Sequence, residues 1–317
     1  MLAIGIDIGG TKIAGALVTE AGEILFEQRV ASPAQDPDQM VDAVVGLVRD
    51  VTAQAQDVVV GVGVAAAGFI NADQSEILYA PNLNWRHEPL RDRLQRSLPH
   101  PVIIENDANA AGWAEYKFGS GRGAKDMIML TLGTGVGGAV ISDYKLRRGG
   151  FGIGGELGHV RVVQNGRLCG CGQRGCLEQY GSGTAVLKSA RKLAASGGPM
   201  GSMLRELAAG AELEGKHVYQ ALLAGDSGAL SVVQEACDYI GQALGTLVAV
   251  LDPQLLVIGG GLSEAGELLL EPIRASYLNN LPARGYRPEL RIVAASFNNQ
   301  AGVIGAADLA RVTLGSS

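Results

Sequence analysis

The chain is poor in the residues that bind metals and form crosslinks: only four cysteines and four histidines occur among its 317 residues. So few thiols, with Cys237 alone in a helix-like run, fit a reducing compartment. Positive charge is not in surplus either, with 26 Lys and Arg against 32 Asp and Glu and a net charge of -6. That balance argues against nucleic acid as the main partner. Long apolar runs are missing. The longest, such as Ala243–Leu251, fall well short of the ~18 residues a membrane span needs. Met1 leads directly into LAIGIDIGG, with an acid at Asp7 and no basic stretch, so we expect no secretory leader and a cytoplasmic protein. The nucleotide-binding pattern G-x4-G-K-[ST] is absent, which excludes a Walker P-loop. No linker or low-complexity segment interrupts the chain.

What remains is an ordinary globular composition, 47% hydrophobic and 18% charged. The length suits two domains, each large enough for its own core. Glycine is plentiful at 46 residues and is concentrated in loops that follow apolar runs, which hints at anion sites built from backbone amides.

Three of the four cysteines and one histidine fall between Gly154 and Tyr180, GGELGHVRVVQNGRLCGCGQRGCLEQY. The spacing is E-x2-H-x9-C-x-C-x4-C-x-E, through Glu156, His159, Cys169, Cys171, Cys176 and Glu178. One imidazole and three thiolates close a tetrahedral zinc shell with no position left for water, the mark of a structural metal. Such a site would pin a glycine-rich loop that has too few apolar residues to hold itself. Spacing alone also allows a redox switch or unconnected thiols, because C-x-C is tighter than the usual C-x2-4-C. No structural zinc requires the flanking Glu156 and Glu178.

The rest of the chain reads as alternating strands and helices. Leu2–Ile8, Thr11–Thr19 and Glu23–Val30 form a strand meander, with Gly9-Gly10 at its first corner. Asp126–Leu132, Gly133-Thr134-Gly135 and Val136–Ser142 repeat the scheme, so the sequence suggests two similar halves. Paired glycine hairpins could clamp phosphates with their amides, or each could be only a tight turn. Lys12 could be a phosphate ligand or a solvated strand residue. Asp36-Pro37 starts a helix, with Met40, Val41, Val44, Val45, Val48 and Val51 at helical spacing. A buried strand follows at Val58–Val64. Pro81–Trp85 reads as a polar turn and Glu88–Leu98 as a helix. Asn106-Asp107 lies between a strand, Pro101–Glu105, and a helix, Ala108–Phe118. There it is either a helix cap or the place where an α/β protein presents a general base to a cleft. Later helices are expected at Gly181–Ala195, Met203–Ala209, Lys216–Leu223 and Asp226–Leu251. Gln254–Ile258 then forms a strand, and Gly259-Gly260-Gly261 opens another helix. A last strand, Leu290–Ala294, and a last helix, Gln300–Ala310, complete the pattern.

E-x-G-H followed by C-x-C-G-x-x-G-C-x-E resembles the signature of the ROK family (repressors, open reading frames, kinases), and within it the bacterial glucose kinases. The D-I-G-G-T-K and E-N-D-A-N stretches extend that resemblance along the chain. It implies an α/β fold of two actin-like (ribonuclease H-like) domains with a cleft between them. Residues 1–108 with about 300–317 would form the small domain, and 109–299 the large domain carrying zinc. The implied reaction is ATP-dependent phosphorylation of the glucose 6-hydroxyl. In that reading Asp107 is the base, and Gly68, Asn82, Asn106, Glu156, His159 and Glu178 are sugar ligands. His159, Cys169, Cys171 and Cys176 hold structural zinc. Asp7 lies near magnesium, and Gly9, Gly10, Thr11, Lys12, Thr134 and Gly135 lie near the phosphates of ATP. Gly259, Gly260 and Gly261 face its adenosine side. Many relatives carry proline before the glycine at position 68, whereas this chain has Ala67. Family members commonly form homodimers or homotetramers. Kinases for fructose, mannose or N-acylmannosamine, and polyphosphate-using glucokinases, share these motifs. Two other classes fit the motifs less well. A sugar-sensing repressor would need a DNA-binding segment before Gly9, and an actin-like ATPase or chaperone would not need the metal and glutamate stretch.

Overall fold

The computed structural model describes residues 1–80 and 83–315. In chain order the elements begin with β1 (Leu2–Ile8), β2 (Lys12–Val18), β3 (Ile24–Ala31), α1 (Pro37–Thr52) and β4 (Val59–Ala66). Three short strands follow, β5 (Phe69–Ile70), β6 (Ile77–Ala80) and β7 (Trp85–Glu88), then α2 (Leu90–Gln95), β8 (Val102–Asn106) and α3 (Asp107–Phe118). A second run is β9 (Met127–Leu132), β10 (Val136–Ser142) and β11 (Lys145–Leu146), then α4 (Glu178–Gly181), α5 (Gly183–Ala195), α6 (Ser202–Ala208) and α7 (Gly215–Leu223). The chain ends with α8 (Ser227–Leu251), β12 (Leu255–Gly259), α9 (Glu267–Asn280), β13 (Arg291–Ala294) and α10 (Ala301–Leu314).

Two five-stranded sheets share one plan. Their orders are β3-β2-β1-β4-β8 and β11-β10-β9-β12-β13. In each, a hairpin meander supplies three strands and two further strands join on the other side. The repeat expected from the glycine hairpins is thus a repeat of sheet topology. In the first sheet β1 pairs antiparallel with β2 and parallel with β4. Its run LAIGIDI is almost wholly buried, as expected for a central strand covered on both faces.

The chain forms two compact units, residues 1–129, 138–155 and 296–317, and residues 130–137 and 156–295. The first unit takes in α3 together with residues 119–129 and 138–155, and for α3 the packing gives the reason. Trp113 Nε1 donates to Asp308 Oδ2 of α10 at 2.9 Å. Helix α10 also lies so close to its neighbours that side chains are excluded. A Cβ on Gly5 would sit 1.8 Å from Val303 O, one on Gly63 1.9 Å from Ala306 O, and one on Gly305 1.8 Å from Ala110 O. A helix apolar all round, AGVIGAADLA, is fit for such burial. Helix α1 covers the opposite face of the sheet, where Leu47 meets Gly15. Its Asp36 cap accepts from Asp38 N and Gln39 N at 3.0 Å each, with Pro37 opening the helix.

Two expectations change. The stretch expected as a turn and then a helix from Glu88 contains strand β7, and α2 begins only at Leu90. Buried Trp85 holds this strand in the core, and it pairs with β6 through Ala80↔Trp85 and Tyr79↔Arg86. Gly259–Gly261 leads into 3-10 turns, Gly261–Ala265, before α9 starts at Glu267. Among the described residues no helix is long and apolar enough to cross a membrane.

Candidate active site

In the first unit the acidic groups lie at the ends of neighbouring strands. Register puts Arg29, Ala14, Asp7, Ala65 and Glu105 side by side across β3, β2, β1, β4 and β8. Residues paired in this way face the same side of the sheet, which is the side α10 covers. A Cβ on Gly302, at the start of α10, would lie 2.5 Å from Asp7 Oδ2. Burial drives the Asp7 pKa up to about 7, with the Asp107 carboxylate adding to the rise and Arg29 opposing it. Asp107 keeps some exposed surface, yet protein encloses it closely enough for desolvation to raise its pKa, opposed by the Ala108 N–H. That N–H donates to Asp107 Oδ1 at 2.9 Å. Two carboxylates that resist joint ionisation form a set a divalent cation would relieve. Magnesium, which keeps most of its waters, asks for only one or two such ligands.

Asn106 is both cap and candidate ligand. Its Oδ1 accepts from Asn109 N at 3.0 Å, and its Nδ2 donates to Gly68 O at 3.1 Å. The structure therefore joins Gly68 to the Asn106-Asp107 junction without the proline that many relatives carry. Gly68 adopts φ +134, and a Cβ there would sit 2.7 Å from Tyr79 O, so only glycine fits. The hairpin after Asp7 closes through Gly9 N to Lys12 O at 3.0 Å, leaving Gly10, Thr11 and Lys12 exposed. Asn82 lies outside the described residues.

The second unit gathers the metal-type ligands. One donor atom each from His159, Cys169, Cys171 and Cys176 lies within 4.8 Å of every other. The Cys171 and Cys176 sulfurs are 3.7 Å apart, close to the ~3.8 Å edge of a tetrahedron with Zn–S of ~2.3 Å. Cys169 Sγ is 3.7 Å from His159 Nδ1. All four cysteines are free thiols. Burial, then the neighbouring thiols, push Cys176 up to about 12, a state that a central divalent cation reverses by favouring thiolates. The residues fit zinc.

Both flanking carboxylates converge on this cluster. His159 Nε2 is 3.8 Å from Glu156 Oε2, while Nδ1 faces the sulfurs. Glu178 Oε1 is 3.5 Å from Cys169 Sγ. Its other oxygen, Oε2, accepts from Val136 N at 3.3 Å beside the second glycine hairpin, Gly133–Gly135. Gly260 packs against the Leu132 backbone that leads into that hairpin, its Cβ position 2.6 Å away. Gly259 ends β12 and Gly261 opens the 3-10 turn, so the two glycine segments share one corner of this unit.

Sequence reasoning missed one group. Glu105, buried at 2% exposure, accepts from Arg148 Nε at 2.6 Å, Gln74 Nε2 at 3.1 Å, Asn109 Nδ2 at 3.0 Å and Asn106 N at 3.0 Å. The network fixes the strand-to-helix joint that carries Asn106 and Asp107. Its position next to Asn106-Asp107 was the only signal available, because its partners are scattered along the chain.

The family model described as "ROK family" matches residues 3–313. A glucokinase of Streptomyces coelicolor is 44% identical, with 98% of each chain covered. One from Thermotoga maritima is 34% identical, again with 98% of each chain covered. Among solved structures, a ROK family glucokinase from Streptomyces griseus, in complex with glucose and AMPPNP, superposes with a TM-score of 0.89 at 44% identity. That alignment covers 98% of this chain and 100% of the other. The chain therefore belongs to the ROK family and has the two-domain actin-like fold of its sugar kinases.

Proposed function

We propose that this chain is a glucokinase, transferring the terminal phosphoryl group of ATP to the 6-hydroxyl of glucose. The carrying observation is the placement of His159, with Nδ1 turned to the cysteine cluster and Nε2 to Glu156. One ring nitrogen would serve the metal while the other lies toward Glu156. The identity of 44% with a glucokinase over nearly the whole chain supports the same reading.

Asp107 takes the proton of the 6-hydroxyl as that oxygen attacks the terminal phosphorus. The bond to the bridging oxygen breaks and ADP leaves. Desolvation that raises its pKa makes Asp107 a stronger base. Gly68, Asn82, Asn106, Glu156, His159 and Glu178 bind the sugar hydroxyls. A carboxylate left without its hydroxyl partner disfavours sugars of other configuration. His159, Cys169, Cys171 and Cys176 would hold zinc, which would fix the orientation of His159 and supply no chemistry to the transfer. Asp7 would lie near magnesium, which would supply counter-charge to the phosphates. Gly9, Gly10, Thr11, Lys12, Thr134 and Gly135 lie near the phosphates, and Gly259, Gly260 and Gly261 flank the adenosine. We place the enzyme in the cytoplasm, as a homodimer or homotetramer acting on small molecules; the net charge of -6 supports a partner other than nucleic acid.

The test is a coupled assay of ADP release with glucose, fructose, mannose and N-acetylmannosamine, repeated with polyphosphate as donor. Glucose with ATP should give the highest kcat/KM. A preference for another sugar, or ADP release indifferent to sugar, overturns the reading.

A further inference from the structure

The hairpin Gly133–Gly135 is held from one side by the start of α5. Gly183 N donates to Gly133 O at 2.8 Å, and Thr184 Oγ1 donates to Thr134 O at 2.7 Å. In a planar trans peptide the N–H points opposite to the C=O, and no described peptide is cis. With Gly133 C=O turned toward α5, the Thr134 N–H of the same peptide points away from it. With Thr134 C=O turned toward Thr184, the Gly135 N–H points away as well. Two successive amides are thus aimed in one direction, the arrangement that forms an anion-binding concavity. The Gly133 N–H is not among them, because it closes the hairpin on Gly135 O at 3.0 Å. Ser182 makes the support rigid: its Oγ accepts from Ala185 N at 3.1 Å and caps α5. Gly183 is needed for the approach, since a Cβ would lie 2.9 Å from Gly133 O.

We propose that Thr184 is a positioning residue for the phosphoryl donor, its hydroxyl presetting the Gly135 amide toward the donor's phosphates while Gly183 presets that of Thr134. The proposal rests on the reading of the chain as an ATP-using kinase. Thr184 acts through the hairpin, so its loss should weaken the donor and not the sugar. Thr184 is exposed, and Thr184→Val keeps its shape while removing the hydrogen bond.

We would measure KM for ATP at saturating glucose, KM for glucose at saturating ATP, and AMPPNP affinity by calorimetry. For Thr184→Val, KM for ATP and the AMPPNP Kd should rise about fivefold, with KM for glucose unchanged within about twofold. Thr184→Ser should return both donor constants to near the wild-type values. Thr184→Ala gives the same comparison without a branched side chain should the valine variant fold poorly. Unchanged donor constants, an equal rise in the glucose constant, or failure of serine to rescue overturns the proposal. A wild-type protein inactive on glucose sinks the parent reading instead, and AMPPNP affinity still decides this one.

Discussion

Asp7 offers a test in which stability and activity move in opposite directions. Its side chain is largely enclosed at the end of the central strand of the first sheet, and its pKa stands at about 7 against an ordinary 3.8. At ~1.4 kcal/mol per pH unit, that rise corresponds to ~4 kcal/mol lost from the folded state once Asp7 is ionised. The sign follows from the folded state binding the proton more tightly than the unfolded chain does. Below about pH 4 both states are protonated and nothing is lost. As pH rises from ~4 to ~7 the unfolded chain gives up its proton first and stability falls; above ~7 the loss is constant. The first turn of α10 lies against Asp7, and its dipole offsets up to ~1 kcal/mol. Asp7→Asn keeps the shape and removes the charge, so at about pH 8 it should be more stable than wild type by about 3 kcal/mol. By about pH 5 the gap should shrink to roughly half. Urea unfolding of both proteins, free of magnesium and nucleotide, reads this directly. The same variant should be nearly inactive, since it lacks the charge that attracts magnesium. Equal stability at about pH 8, or a gap that does not change with pH, refutes the reasoning.

Asp107→Ala should lower kcat by about 10^3-fold or more while glucose affinity stays within a few-fold, measured by steady-state kinetics and calorimetry. In the wild type, the raised Asp107 pKa places the acid limb of kcat above the usual carboxylate range, with activity lost as pH falls through it; a limb at or below the ordinary range contradicts this. Elemental analysis should find near one zinc per chain, and chelation should lower both the melting temperature and glucose affinity. A metal-free, fully active preparation would count against the site. Glu105→Gln leaves the Arg148 guanidinium without its counter-charge, at a cost of about 3 kcal/mol in chemical denaturation. The cost falls at the low end for a buried pair because Arg148 is partly exposed.

Elements governed by local pattern were readable in the sequence. The β1–β2 hairpin, α1 with its Asp36-Pro37 start, and the long α8 ending at Asp252-Pro253 all carry their own periodicity and caps. The cysteine spacing likewise pointed to the one cluster with metal-ligand geometry found among the described residues. What depends on register or distant contact was not readable. No local rule places Arg29, Asp7 and Glu105 in one row, because the row exists only once five strands are aligned. Strands β5 to β7 are two to four residues long, too short for a period-2 pattern to emerge. Glu105 looked like an ordinary strand end until Gln74 and Arg148 closed on it.

The two sheets share a topology, and what differs is how each holds its functional groups. In the first unit, Asp7 and Asp107 stand on a strand and a helix whose positions are set by close packing, with Gly5, Gly63 and Gly305 allowing α10 to touch the backbone of its neighbours. Packing of that kind needs apolar side chains and regular elements. Between β11 and α4 the described chain offers only one 3-10 turn, Leu157–His159, and the bridges Arg161↔Cys176 and Leu168↔Arg174. Few of its side chains are buried, chiefly Leu157, Val162, Cys169, Cys176 and Leu177. A loop with so small a core loses the entropy of ordering without enough burial to offset it. Four ligand bonds to a metal can supply that difference, and on the scale of structural zinc sites they supply ~10 kcal/mol or more. The ligands are bracketed by Glu156 and Glu178, so a metal that orders the loop necessarily orders both acids. A hydrophobic replacement of the cluster could restore the fold of the loop, yet it would remove the ring nitrogen that ties His159 to the frame.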